Sequence, residues 1–386
     1  MRRFLAGALS MGILMILVAV PARAEESDSE PWGYDEGLYF HHDTFQMKLG
    51  LRPQFLYAYT SPDNAPNVQD FQIRRLKFFA SGWAYQPWLE YKVQFNAVGF
   101  RSVGSVEGLD TDLMPDGQID TLVIERSKSF DLEDMYVDLA KNRMAVLRIG
   151  QYKTPFGLQF LTSSGRQQFV ERSLATIGFV QGRDIGLGLH GKTENRRFGY
   201  EVGIFNGNRF NAGRTDDADL LYVARFNFDP NGEYKKAESA TGNPDEAKWT
   251  IGGAWFQKTD DSTLDLDRTS VEGFLGLHYR RLFLLADYFT SMIDLAGGGE
   301  TDSEGYTGQF GIFFIPKKFE VALRYSEIDP DTDLDENTLT ESRIAFNYFF
   351  RAHRLKLQID FGRLTEETPT GDIDADQVRA QLQFIF

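Results

Sequence analysis

The stretch Phe45-Gln46-Met47-Lys48-Leu49-Gly50-Leu51-Arg52-Pro53-Gln54-Phe55-Leu56-Tyr57-Ala58-Tyr59 decides the fold. Phe45, Met47, Leu49, Leu51, Phe55, Tyr57 and Tyr59 share one parity, and the other is mostly polar or small: Gln46, Lys48, Gly50, Arg52, Gln54 and Ala58. Apolar residues spaced by two cannot line one stripe of a helix, but they line one face of a strand. At the far end of the chain Val378, Ala380, Leu382, Phe384 and Phe386 alternate in the same way with Gln377, Arg379, Gln381 and Gln383.

Between these ends the alternation recurs at 89–97, 145–149, 185–189, 198–204, 222–228, 249–255, 271–279, 310–314, 319–325, 344–348 and 355–361. With further strands at 71–83, 130–139 and 282–290 the expectation is sixteen. The connections alternate between short and long. Tyr85-Gln86-Pro87, Lys141-Asn142-Arg143, Thr193-Glu194-Asn195, Arg280-Arg281, Pro316-Lys317-Lys318 and Arg351-Ala352-His353 are short, whereas 99–129, 153–183, 206–218, 291–304 and 326–338 are long. A β-sandwich also alternates, but its strands are typically ~5–6 residues. Many runs here approach the ~9–11 residues that cross a bilayer. The expected fold is therefore all-β, a sixteen-stranded antiparallel transmembrane barrel, whose even count returns both termini to one side. The connection 230–247 is longer than its side of the barrel requires and points to a mis-paired strand there.

The beginning of the chain sets the compartment. Arg2 and Arg3 precede an apolar run from Phe4 to Val20, followed by Ala22-Arg23-Ala24 as a cleavage site. This predicts a signal peptide over 1–24, an acidic periplasmic segment over 25–43 and the barrel over 44–386. Composition agrees with an exported barrel: mean hydropathy is −0.35 although the chain holds 33 Phe, 16 Tyr and 36 Gly. Only one face of each strand then meets lipid. The net charge of −15 excludes nucleic acid as an expected partner, because phosphate neutralisation needs a basic surface. With no cysteine there is no disulfide, thiolate metal site or cysteine nucleophile.

The block Asp134-Met135-Tyr136-Val137-Asp138-Leu139, then Arg148-Ile149-Gly150-Gln151-Tyr152-Lys153-Thr154-Pro155-Phe156-Gly157, then Phe169-Val170-Glu171-Arg172-Ser173-Leu174 and Gly182-Arg183-Asp184-Ile185-Gly186, resembles the phosphate-selective porin O and P family. Phe71-Gln72-Ile73-Arg74-Arg75-Leu76 and Val202-Gly203-Ile204-Phe205-Asn206-Gly207 extend the resemblance over most of the chain, and the terminal Phe386 resembles the last-strand signature of outer-membrane barrels. The resemblance implies homotrimers in the outer-membrane lipid, passive diffusion of small anions with phosphate preferred, and the loop 153–183 folded into each pore. It also implies Arg74, Arg75 and Lys153 as pore-lining cations, with Arg52 as a further candidate.

Parity adds its own expectation. The polar parity carries Lys48, Arg52, Lys92, Arg148, Arg225, Arg324, Arg343, Arg354, Lys356 and Arg379 against Glu90, Asp138, Glu201, Asp287, Glu320, Glu341 and Asp360. The excess is positive, and cross-strand ion pairs on the wall are the competing use of each charge. Adjacent Arg74 and Arg75 can both face inward only if their strand bulges. Within the loop, Arg166, Arg172 and Arg183 form either a charged eyelet or, with Glu171 and Asp184, pairs that fix the loop's shape. Guanidinium suits anions because its planar fork stays charged and matches paired oxygens.

Other signals point nowhere specific. His41, His42, His190, His278 and His353 have no metal or triad spacing, and no G-x-S-x-G occurs, so neither an enzyme, a metal nor a cofactor is expected. Asp331 to Asp335 and Asp112 to Val123 each start like a calcium loop and lack its closing acid. Gly297-Gly298-Gly299 reads as a loop tip. The alternative functions in view are a channel for polyphosphate or other small hydrophilic solutes and an outer-membrane hydrolase.

Overall fold

A computed structural model describes residues 31–34, 37–98, 130–207, 220–242, 244–259, 267–294 and 299–386. The signal peptide, the loop 99–129 with Asp112 to Val123, and most of the connection 206–218 and of the Gly297 tip lie outside the described residues. Two short strands, β1 (Trp32–Tyr34) and β2 (Leu38–His42), precede β3 (Phe45–Pro62), β4 (Val68–Ala84), β5 (Gln86–Asn96), β6 (Asp131–Asn142), β7 (Ala145–Lys153), β8 (Arg183–Lys192), β9 (Phe198–Phe205) and β10 (Leu221–Phe228). The order continues with β11 (Lys248–Lys258), β12 (Asp267–Tyr279), β13 (Leu282–Asp294), β14 (Glu300–Ile315), β15 (Phe319–Asp329), β16 (Leu339–Arg351), β17 (Leu355–Glu366) and β18 (Ile373–Phe384).

Each strand from β3 to β18 pairs antiparallel with its sequence neighbour, and β18 closes on β3 from Ala375 opposite Pro62 to Gln383 opposite Gln54. Leu51 and Phe386 add a reciprocal pair of backbone hydrogen bonds at 2.6 and 3.0 Å. The sixteen strands read from parity are these sixteen. Closure leaves no open edge inside hydrocarbon, where an unpaired backbone group costs several kcal/mol, on the order of the ~4–8 kcal/mol of transfer to alkane.

β3 extends below the end of β18, and that exposed margin is covered by β2, paired from Leu38 opposite Leu49 to His42 opposite Phe45. The segment before the barrel thus carries a small hairpin that caps an edge. Strands also run further at the top than their apolar parity. β13 continues to Asp294 and β14 begins at Glu300, so most of the stretch 291–304 is ladder and not loop. Pairing outlasts the lipid-facing pattern because the outer face turns polar above the hydrocarbon while the backbone still bonds across.

Among the described residues two segments are packed inside the barrel. The loop 154–182 carries two short helices, α1 (Leu158–Leu161) and α2 (Leu174–Phe179), with a 3₁₀ turn at Ser164–Arg166 between them. Phe156 stands edge-on to Phe256 with centroids 4.8 Å apart, and Phe179 stacks on Phe289 at 5.3 Å. These rings, with Leu174, Ala175, Tyr152 and Phe205, form an apolar core within the lumen. The second inserted segment is the connection 229–247. No strand is mis-paired there: β10 and β11 align from Leu221 opposite Lys258 to Phe228 opposite Ile251, and the surplus residues fold inward, burying Tyr234 and Ala240.

Candidate functional site: the inner wall and the constriction loop

Two bulges build the charged wall. In the β3–β4 ladder Gln54 faces Arg75 while Phe55 faces Ile73, so Arg74 is an extra residue. In the β5–β6 ladder Gln94 faces Asp134 while Phe95 faces Leu132, so Glu133 is extra. Each bulge turns two adjacent like charges inward: Arg74 and Arg75 on β4, Glu133 and Asp134 on β6, all buried. Without a bulge one of each pair would have to face lipid.

These side chains are cross-linked to one another and to the loop. Arg74 Nε donates to Glu171 Oε1 at 2.5 Å, and Arg75 donates to both oxygens of Glu171 at 2.6 and 3.2 Å. Lys77 holds both oxygens of Glu133 at 2.6 and 2.7 Å. Arg183 and Lys92 both hold Asp134, at 2.7 and 2.6 Å. Arg52 donates to Ser163 Oγ at 2.9 Å and Ser164 Oγ at 3.1 Å, crossing over Gly165, where a Cβ would meet its guanidinium at 2.5 Å. Lys153 donates to the carbonyls of Phe160 and Thr162, and Arg172 donates to the same two carbonyls at 3.3 and 3.2 Å. Such carbonyls, at the end of a one-turn helix, lack intrahelical partners. The structure thus places Arg52, Arg74, Arg75, Lys153, Arg172 and Arg183 around the loop 154–182. Arg148 stands apart, bonded to Asp138 at 2.7 Å and lying over the Tyr136 ring at 3.9 Å. Arg166 is set toward the inserted connection: its carbonyl accepts from the Glu238 backbone N–H at 2.8 Å, and its charge acts on His353.

Glu171 and Asp184 fix shape. Glu171 is the acceptor for both bulge arginines, and Asp184 accepts from the backbone of Ile185 and Gly207, each at 2.7 Å. Lys77 and Glu133 escaped the sequence reading, although the signal exists: outward apolar residues pass from odd positions, Phe71 and Ile73, to even ones, Leu76 and Phe78, across the bulge.

Exposure separates the two signs of charge in three of the pairs near the loop, whereas in Lys77–Glu133 and Arg324–Glu341 the carboxylate is the slightly more open member. In the pairs Lys92–Asp134, Arg148–Asp138 and Arg183–Asp134 the cation is the more open member, at 34, 20 and 14% against 5, 8 and 5%. The pairs of Glu171 with Arg74 and Arg75, and that of Lys192 with Glu233, are of nearly equal exposure. Among residues 154–182 the one exposed side chain is Arg166. Below the loop, at the end of the barrel that holds Phe386, His353 is buried; Lys356 donates to its Nδ1 at 3.5 Å and its Nε2 bonds the carbonyl of Glu238 at 2.7 Å. Burial first, and then Lys356, hold His353 well below the ordinary histidine pKa. Burial likewise raises the Tyr234 phenol, and hydrogen bonds from Lys192 and then Arg196 lower Glu233.

A closed sixteen-stranded barrel with a loop folded across its lumen and paired charges lining its inner wall is a membrane-spanning channel of the porin class. Residues 47–386 match the family described as phosphate-selective porin O and P, and the chain belongs to that family of outer-membrane porins. An uncharacterized protein of Aquifex aeolicus (strain VF5) is 24% identical over 353 residues, covering 82% of this chain and 81% of its own. Among solved structures, an anion-selective porin from Comamonas acidovorans superposes with a TM-score of 0.60 at 13% identity, over 89% of this chain and 100% of that one. The trimer form of OmpT, an outer-membrane protein of Vibrio cholerae, gives 0.56 at 9% identity over 89% and 100%.

Proposed function

We propose that this porin passes small anions by passive diffusion, phosphate preferred, as a homotrimer in the outer membrane after removal of residues 1–24. The observation that carries this reading is the exposure of the cations beside the loop: in Lys92–Asp134, Arg148–Asp138 and Arg183–Asp134 the guanidinium or ammonium is the more open member and the carboxylate the more buried. An ion in a narrow path responds to the charges nearest it, because those further off are screened within about 8–10 Å of electrolyte. The net charge of −15 is therefore no obstacle to anion passage.

Lys153, Arg172 and Arg183 are the cations that serve phosphate near the top of the loop, and Arg166 serves it below. Arg52, Arg74 and Arg75, bonded into the loop, contribute field and not direct coordination, and Arg148 adds a further cation on the wall. Binding divided over several weak sites lets an ion leave as readily as it enters. The family and the similarity to an anion-selective porin support the same reading.

Purified protein in a planar bilayer under a KCl gradient tests it. The expected reversal potential favours chloride over potassium, and added phosphate reduces the chloride conductance. A potassium-selective channel that ignores phosphate would refute the anion reading and leave the porin standing.

A further inference from the structure

The connection 229–247 enters the barrel from the end opposite the constriction loop. Asp229 turns the chain inward: its carboxylate accepts from Asn227 Nδ2 at 2.8 Å and from the Tyr234 backbone N–H at 2.9 Å. Tyr234 then packs with Leu158 of the loop and with Phe274, Phe283 and Leu285 of the wall. Its hydroxyl end lies over Gly276, where a Cβ would come within 2.6 Å. Ala240 is buried with Phe313 and Phe349.

Glu238 is the junction. Its backbone N–H donates to the carbonyl of Arg166 at 2.8 Å, and its Oε2 accepts from the backbone N–H of Gln168 and from Gln309 Nε2, both at 2.8 Å. Its own carbonyl accepts from His353 at 2.7 Å, and neighbouring Ser239 donates to Glu320 at 2.7 Å. Glu238 thus grips the loop on both sides of buried Gln167, through the carbonyl of Arg166, whose side chain is the exposed one, and the N–H of Gln168. A segment that merely filled space would place an apolar residue here, since a buried carboxylate is costly unless bonded.

We propose that the connection 229–247 is a second constricting element, inserted from the periplasmic end, and that Glu238 is a positioning residue that fixes where the loop presents Arg166 to the lumen. The inference rests on the porin reading and not on phosphate being the ligand.

The absence of native cysteine supplies the test. Ala240→Cys and Lys235→Cys are made singly, the first at a buried and the second at an exposed site, and each is treated with a membrane-impermeant maleimide. The expected result is rapid labelling at 235 and protection at 240, with protection lost when Glu238→Ala is added. In bilayers Glu238→Ala alone should raise single-channel conductance by about twofold as the lumen widens, and should move the reversal potential away from that of the parent as Arg166 is displaced. Heat-modifiable mobility confirms that each barrel is folded, and Glu238→Gln replaces the alanine variant if that one does not assemble. Equal labelling at 235 and 240 in the parent overturns the proposal, as does a Glu238 variant with unchanged labelling, conductance and selectivity. A folded parent that conducts nothing would instead defeat the porin reading.

Discussion

The guanidinium of Arg75 holds both oxygens of Glu171, and Arg74, its neighbour in sequence, holds the same carboxylate. One loop acid therefore neutralises two wall cations that a bulge has turned inward together. Breaking such a buried pair by removing one partner costs about 3–5 kcal/mol, because the remaining charge stays desolvated. Glu171→Gln should accordingly lower the unfolding midpoint of the detergent-solubilised protein. It should also raise the preference for chloride over potassium, since a negative charge leaves the constriction. An unfolding midpoint equal to that of the parent would show that the junction between wall and loop lies elsewhere.

Arg166 and Arg52 should respond in opposite ways. Arg166 is exposed and no side-chain bond to it is described, so Arg166→Ala should change stability by no more than about 0.5 kcal/mol. Its loss should nevertheless reduce chloride preference, because its charge meets the lumen directly. Arg52 is buried and tied to Ser163 and Ser164, so Arg52→Ala should loosen the loop and cost about 1–3 kcal/mol. Thermal melts combined with reversal potentials separate the two cases. A stability loss at 166 that matches the loss at 52 would contradict the exposure argument.

Most of the architecture was legible because one physical rule writes it: lipid on one side and water on the other impose period two on every strand. Where that rule acts alone, as on β17 or β18, parity gives both strand and facing, whereas on β14 it gives only the lipid-facing part, 310–314. It faltered where another demand intervened. At Arg74 and Glu133 an extra residue resets the parity, so Lys77 and Glu133 were not placed on the inner wall. At 229–247 the length is visible in the sequence, but its cause is tertiary: Tyr234 and Glu238 find partners on the loop and on distant strands, and local sequence does not specify these. The same holds for the division between bonded and open cations. Arg74 and Arg166 are both arginines in a charged neighbourhood, and only the packed loop makes one a strut and the other an open charge.

His353 should make the inserted connection sensitive to acid. Its Nδ1 faces Lys356 and its Nε2 bonds the Glu238 carbonyl, with Arg166 and His278 also near, an arrangement that suits the neutral ring. The folded-state pKa lies below the ordinary value of about 6.5, so the unfolded state takes up the proton first as pH falls. The stability associated with neutral His353 is thus fully present above that value and is lost as pH falls toward the depressed one. The unfolding midpoint should drop between pH 7 and pH 4, about the range below the unperturbed histidine value. His353→Gln should show a shallower drop. Identical pH profiles for the two proteins would remove His353 from the account.

Lys153 and Arg172 donate to the same two carbonyls, those of Phe160 and Thr162, and both lie over the Phe160 ring, at 4.8 and 5.2 Å. Two cations anchored on one pair of acceptors are close enough to meet a single phosphate, and if they do their contributions to binding cannot be independent. Neighbouring groups that share partners typically couple by about 0.5–3 kcal/mol, whereas distant ones add within about 0.3–0.5. Lys153→Ala and Arg172→Ala should each raise the phosphate concentration that half-blocks chloride conductance. The double variant should depart from the product of the two single effects by more than about twofold, the equivalent of the lower coupling limit. If the effects simply multiply, each cation serves the anion at its own station, and the path is a series of single charges with no shared site beneath the loop's first turn.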